Sequence, residues 1–192
     1  LASTGESVGW TTDPENRLIW RANRKRLTAE SIRDSILSVS GQLSMQQGGP
    51  TIRKFSQYDW GYEFNTIRRS VYVPLFRNTL LEGLETFDVA NPNVVSGRRS
   101  ETTLPTQALY MMNSPFVNAE AERAGERIIR SGATDAERVR LAYRLALGRE
   151  PSAVEADVVM KFIEESKAGE KSGAWSALVH SLFGSVDFRH LD

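Results

Sequence analysis

The stretch RRSVYVPLFRNTLLEGLETFDVANPNVVSGRRSETTLPTQALYMMNSPFV, residues 68–117, holds both the strongest strand pattern and the most polar loop of the chain. Residues 71–76 form an apolar run that predicts a strand, and Pro74 would place that strand at a sheet edge. Residues 88–103 predict a long loop, because the run Asn91-Pro92-Asn93 is a strong turn signal. One segment is therefore expected to carry a structural strand and a functional loop.

The residues just before this stretch predict a partner for the strand. In QYDWGYEF, residues 57–64, aromatic side chains alternate with other residues and would share one face of a strand. The alternating residues are Tyr58, Trp60, Tyr62 and Phe64. We expect this segment to pair with residues 71–76 in a small antiparallel ribbon near residues 56–76.

Upstream, residues 1–12 read as a loose lead-in, and the rest, residues 13–192, as a single helical domain. Asp13-Pro14 is typical of a helix start. The helix that would follow places Arg17, Arg21 and Arg24 on one face. That basic face could bind phosphate, sulfate or carboxylate groups, or it could simply be solvated.

The remaining helices are predicted from periodicity and capping signals, which give about seven helices and a mostly α fold. Apolar stripes at helical spacing run through residues 29–43, 139–146 and 175–183. A further stripe comprises Val154, Val158 and Phe162. Helix starts are marked by Asn78, Pro105, Ser114-Pro115 and the capping boxes Thr134-Asp135-Ala136-Glu137 and Ser152-Ala153-Val154-Glu155.

Composition narrows the classes of function. Lys plus Arg and Asp plus Glu are balanced at 24 each, so the chain lacks the basic excess of a dedicated nucleic-acid binder. It has no cysteine and two histidines, His180 and His190, whose spacing suits no shared helical face. No apolar run is long enough to span a membrane. We therefore predict no metal, no cofactor, no nucleic-acid partner and no membrane span.

The polar loop supplies the best candidate site. Its candidate ligand-binding residues are Asp88, Asn91, Asn93, Arg98, Arg99 and Glu101. In a functional interpretation the arginines bind an anionic group and the two carboxylates do acid–base work. In a structural interpretation Asp and Asn form Asx-turns while the arginines bridge backbone carbonyls. The sequence leaves both interpretations open.

Several long phrases carry a resemblance to a known family. They are DPENRLIWRANRKRLTAESIRDSILSVSG (13–41), RRSVYVPLFRN (68–78), FDVANPNVVSGRRSETTLPTQALYMMNSPFV (87–117) and AYRLALGREPSAVE (142–155). They resemble the planctomycete domain of unknown function, PSD type one, found near the C-terminus of large exported proteins. The resemblance implies that this chain is the C-terminal part of the family domain. It also implies an exported or cell-envelope location and upstream cytochrome-c-like domains as neighbours.

Three functions follow from these observations and the resemblance. The first is a structural or interaction module of a large exported protein, without its own catalysis. The second is a hydrolase or lyase that acts on polysaccharide. The third is a docking partner for an upstream, haem-bearing domain of the same polypeptide. Glycan is the expected ligand only in the second case.

Overall fold

The computed structural model describes residues 12–54, 62–132, 134–166 and 171–191. These residues form seven α-helices, which confirms the mostly α prediction. The helices are α1 (Ala29–Ser40), α2 (Glu82–Thr86), α3 (Pro105–Asn113), α4 (Pro115–Ile129), α5 (Asp135–Leu147), α6 (Ala153–Glu165) and α7 (Lys171–Gly184).

Strands are short and stand in two antiparallel pairs. Strand β1 (Lys25–Arg26) pairs with β4 (His190–Leu191), and β2 (Arg53–Lys54) pairs with β3 (Tyr62–Glu63). Short 3-10 turns occur at Ser70–Tyr72 and Asp187–Arg189. The β1–β4 pair brings residues far apart in sequence together beside the helices.

Helices α4 and α7 form the central pair of the core, and α1, α3 and α5 pack around them. Gly125 makes their close approach possible, because a Cβ there would lie 2.8 Å from the backbone nitrogen and the hydroxyl of Ser176. Trp175, Val179 and Phe183 on α7 are fully buried on this axis. These residues belong to the predicted stripe of the last helix, which is confirmed.

Helix ends follow the capping signals closely. Thr134 and Ser152 each accept a hydrogen bond from the backbone of the third helical residue, and the glutamates at those positions bond back, completing both capping boxes. Gly41 and Gly148 close α1 and α5 with φ of 79° and 68°, the left-handed conformation that glycine adopts without a steric penalty. Local chemistry therefore sets these boundaries.

The predicted helix after Asp13 is wrong. The carboxylate of Asp13 accepts hydrogen bonds from the backbone nitrogens of Arg17 and Leu18, at 2.9 and 2.7 Å. Asn16 and Ile19 have φ of 55° and 56°, which no right-handed helix allows. Asp and Asn side chains that bond to nearby backbone compete with helix formation, and here they produce a chain of turns instead.

The second predicted strand is also replaced. Residues Ser70–Tyr72 form a 3-10 turn, because the Asp34 carboxylate accepts hydrogen bonds from both the backbone nitrogen and the hydroxyl of Ser70, at 2.8 and 2.7 Å. The small ribbon exists, but Lys54 and not residues 71–76 pairs with Tyr62. Phe76 instead stacks on the Tyr62 ring at 4.1 Å. Of the four alternating aromatics, Tyr58 and Trp60 lie outside the described residues.

Two helix predictions need smaller corrections. Helix α2 begins at Glu82 after Leu81, so Asn78 does not cap it. On α6 the stripe expected to face the core is exposed, at 72% for Val154, 64% for Val158 and 44% for Phe162. The core contact comes from Val159 and Ile163, which lie about 100° further round the helix.

Among the described residues, no helix combines the length and the apolar character that crossing a membrane requires.

Candidate functional site

The Asp88 carboxylate forms hydrogen bonds and an ion pair within the domain. Its backbone has a φ of 62°, and its carboxylate accepts hydrogen bonds from the backbone nitrogen and hydroxyl of Thr102 and from the Arg26 guanidinium at 2.8 Å. Burial by itself would raise the pKa of Asp88, but the hydrogen bonds from Thr102 and Arg26 outweigh it and the pKa is lowered. The charged Asp88 carboxylate therefore links the loop to β1.

The two asparagines of the loop shape its turn. The side-chain oxygen of Asn91 accepts a hydrogen bond from the backbone nitrogen of Asn93 at 2.9 Å, which is an Asx-turn. The side-chain amide of Asn93 donates to the backbone oxygen of Arg77 at 2.9 Å. The first contact is the Asx-turn of the structural interpretation, and the second links the loop to the backbone that precedes α2.

The charged residues at the end of the loop differ in environment. One guanidinium nitrogen of Arg99, Nη1, donates to both carboxylate oxygens of Glu30 in the first turn of α1, at 2.8 and 2.9 Å. Arg98 and Glu101 are exposed. Asp88, Arg99 and Glu101 line one common pocket, but its volume is only ≈ 30 Å³, room for a few water molecules at most. Asn91, Asn93 and Arg98 are not part of it.

The helical face expected for Arg17, Arg21 and Arg24 is not present, because Arg17 lies in a turn, Arg21 at a bend and Arg24 in irregular chain before β1. Arg17 pairs with Glu15 at 2.6 Å, and Arg24 pairs with Asp187 at 2.7 Å. Arg21 lies with its guanidinium 5.5 Å from the Trp20 ring. Each of these arginines therefore has a separate local neighbour.

A cleft between α1, α4 and the segment that follows β3 offers far more space. Its volume is ≈ 470 Å³. Ile32, Ile36 and Phe87 are buried residues on its lining, and the partly buried rings of Phe64 and Phe116 line it too. Concave, mostly apolar sites of this size with a few polar groups are the usual form of ligand-binding pockets.

Glu120 is the unusual polar group of this cleft. It lies on the face of α4 that Val117, Ala121 and Ala124 turn towards the core, and its side chain is only 4% exposed. One carboxylate oxygen, Oε1, accepts a hydrogen bond from Arg123. The other, Oε2, is buried and receives no hydrogen bond within the part of the chain that the structure describes.

Arg33 supplies a buried positive charge to the same wall. Its guanidinium donates to the Ser70 hydroxyl at 3.1 Å and to the backbone oxygens of Thr66 and Arg68. Asp34 lies 3.7 Å away and provides the counter-charge. Burial lowers the pKa of Arg33, although the neighbouring carboxylate opposes that effect. Arg33 thus anchors the segment after β3 to α1 and builds one side of the cleft.

Tyr110 completes the polar lining. Burial raises the pKa of its hydroxyl, while a hydrogen bond with Ser114 lowers it. The ring meets Phe87 edge-on at 6.0 Å. Gly83 leaves room for the hydroxyl, because a Cβ at that position would lie 2.5 Å from it. The exposed Glu82 stands beside Gly83 on the lining of the cleft.

Sequence reasoning missed this cleft, although one signal was present. A glutamate at position 120 interrupts the apolar stripe of α4, and a charged residue on a core-facing stripe is rarely buried without a partner or a role. The other lining residues come from distant segments that no local pattern brings together.

No group of three or more histidine or carboxylate side chains in the described residues is arranged to hold a metal ion. His180 instead bonds to the backbone oxygen of Met111 at 2.9 Å.

Comparison with known proteins places the chain in a family. Neither a curated protein nor a solved structure matches it. A family model described as "PSD1: Protein of unknown function (DUF1553)" matches residues 2–163, a span that includes the polar loop and every residue of the cleft. The chain belongs to the PSD1 family of proteins of unknown function.

Proposed function

We propose that this domain is a non-catalytic binding module of a larger exported protein, and that it holds its ligand in the cleft between α1 and α4. The observation that carries the proposal is the cleft itself. It combines a volume of ≈ 470 Å³, an apolar floor and convergent polar groups from Arg33, Tyr110 and Glu120. Such a combination orients a ligand through a few polar contacts while burying its apolar surface.

The contacts of the polar loop favour binding over catalysis. A polysaccharide hydrolase or lyase built on this loop would need free carboxylates on either side of a substrate. Both oxygens of the Asp88 carboxylate accept hydrogen bonds from Thr102, and one also pairs with Arg26. The loop therefore holds β1 and α1 in place, and we assign ligand binding to the cleft between α1 and α4.

A fragment screen tests the proposal directly. We would screen the purified domain against a library of small organic fragments by ligand-observed NMR. Asn65 lines the cleft and is exposed, so Asn65→Trp places an indole over the opening with little effect on folding. The matched control is Asn113→Trp, an exposed position at the end of α3 that does not line the cleft.

We expect fragments that bind the wild type and Asn113→Trp, compete with one another and lose binding in Asn65→Trp. Fragments that bind all three proteins equally, or no binding at all, would contradict the proposal.

The same three proteins also test the two other functions, which are polysaccharide cleavage and docking of a haem-bearing domain. Sulfated and uronic-acid glycans and a purified cytochrome-c-like domain from the same polypeptide would be added in turn. New reducing ends released from a glycan would overturn the non-catalytic proposal. Saturable binding of the haem-bearing domain that survives in Asn65→Trp would identify a docking function elsewhere on the surface.

A further inference from the structure

We propose that the cleft selects an organic cation, an ammonium group carried on an apolar body, and that Glu120 is the residue that recognises it. The inference rests on the proposed function, since it names the ligand class for the same cleft. It is carried by the unpaired carboxylate oxygen, by the balance of charges on the lining and by the aromatic walls.

Oε2 of Glu120 is a buried hydrogen-bond acceptor for which a ligand could supply the donor. Buried polar atoms almost always have a hydrogen-bond partner, and a buried charged atom without one destabilises the fold. Oε2 of Glu120 has no donor among the described residues. An ammonium group brings several donors and a positive charge, so it satisfies this oxygen better than a neutral or anionic ligand.

Glu120 can turn towards a ligand at low cost. Its present partner, Arg123, is 49% exposed, so the guanidinium stays hydrated when the contact is given up. The carboxylate itself is 4% exposed and would exchange one cationic partner for another. Binding therefore replaces an ion pair at the edge of the cleft by one inside it.

The charged groups of the lining balance one another, two arginines against two glutamates, and Asp34 behind Arg33 adds one negative charge. Arg33 uses its guanidinium on Ser70 and on backbone oxygens, and Asp34 balances its charge. Arg123 is balanced by Glu120, which leaves Glu82 as a further carboxylate on the lining. At the Tyr110 hydroxyl the charge of Glu82 raises the pKa by more than the charge of Arg33 lowers it.

Aromatic rings add a second attraction for a cation. Phe64, Tyr110 and Phe116 line the cleft, and ring faces attract cations through their electron density. One such contact is already present, with the Arg33 guanidinium 5.9 Å from the Phe116 ring centroid. An ammonium ligand with an apolar body would combine this attraction with burial against Ile32 and Ile36.

Three probes of one shape and different charge test the inference. They are 2-phenylethylammonium, 2-phenylethanol and 3-phenylpropionate, each titrated into the domain at neutral pH by calorimetry or NMR. We expect the ammonium compound to bind about tenfold more tightly than the alcohol, equivalent to ~1.4 kcal/mol, and the carboxylate to bind most weakly.

Single substitutions test which carboxylate produces the preference for the ammonium compound. Glu120→Gln should remove most of the tenfold preference for the ammonium compound over the alcohol. Glu82→Gln, at an exposed position whose replacement leaves the core intact, should reduce the preference by about two- to threefold. The control is Glu150→Gln, an exposed carboxylate that does not line the cleft.

The outcomes distinguish a wrong ligand class from the absence of a binding site. Tightest binding of 3-phenylpropionate, or an unchanged preference in both Glu120→Gln and Glu82→Gln, overturns cation selection but leaves the binding module standing. The same holds if none of the three probes binds while the fragment screen finds other ligands. Failure of the probes and the screen together overturns both proposals.

Discussion

Asp88 shows how much one side chain can organise. It closes a turn in a left-handed conformation, neutralises Arg26 and bonds to Thr102 across the whole loop. Arg26 is only 9% exposed, and Asp88 is the carboxylate paired with this buried guanidinium. Asp88 was a candidate for acid–base chemistry, and its contacts in the structure hold the loop against β1.

Replacing Asp88 by Ala should therefore destabilise the domain. The variant leaves Arg26 buried without its carboxylate, and breaking such a pair costs about 3 kcal/mol or more. Asp88→Asn should cost less, because asparagine tolerates the left-handed conformation and keeps hydrogen-bonding capacity. Denaturant unfolding of the three proteins measures both differences. Equal stability of the Ala variant and the wild type would contradict the assigned role.

The ion pair between Arg149 and Glu155 predicts a specific acid sensitivity. Hydrogen bonds from Arg149 and, to a smaller extent, from Ser152 lower the pKa of Glu155 from 4.5 to about 2. Because the folded-state pKa is depressed, the stabilisation is present above pH 4.5 and is lost as the pH falls towards 2.

We expect Glu155→Gln to melt at a lower temperature than the wild type at pH 6, with the gap closing by pH 2. Glutamine keeps the capping box, so the difference reports the charge. Melting curves between pH 6 and pH 2 test this. A gap that stays constant across that range would assign the effect to packing.

At the scale of elements, the crossing of α4 and α7 depends on a missing side chain. Gly125→Ala would place a methyl group 2.8 Å from the Ser176 backbone, so the helices must separate. We expect a loss of about 1–3 kcal/mol, the usual cost of overpacking. Gly173→Ala on α7 is the control, because a Cβ there meets nothing within 4 Å. Chemical denaturation should show a loss only at Gly125.

Helix α6 gives a second comparison within one element. Ile163→Ala removes a fully buried side chain and should cost about 2–5 kcal/mol. Phe162→Ala, next to it in sequence but 44% exposed, should change stability by less than about 1 kcal/mol. Thermal unfolding of the two variants measures the contrast. The reverse order would mean that the stripe of Val154, Val158 and Phe162 faces the core.

This helix also shows why periodicity was not sufficient. Apolar residues occupy two adjacent arcs of α6, and either could face the core when only the spacing is known. Packing against α5 and α7 selects the arc with Val159 and Ile163. On α1 and α7, the predicted stripes matched the buried faces.

At the scale of the whole molecule, local sequence signals predicted the helical half of the chain. They failed where contacts between residues far apart in sequence determine the conformation. The capping boxes at Thr134 and Ser152 need only four residues each, and both formed as predicted. The turn at Ser70 depends on Asp34, which no local pattern connects to it. The cleft has the same origin, since its walls come from α1, the segment after β3, α3 and α4.

The pairing of β1 with β4 has a mechanical consequence. Lys25 lies opposite Leu191, so the chain enters β1 and leaves β4 at the same end of the ribbon. A pulling force applied at Arg24 and Leu191 would open the ladder one hydrogen bond at a time, beginning at that end. The short ribbon would therefore open before the packed helical core is disturbed.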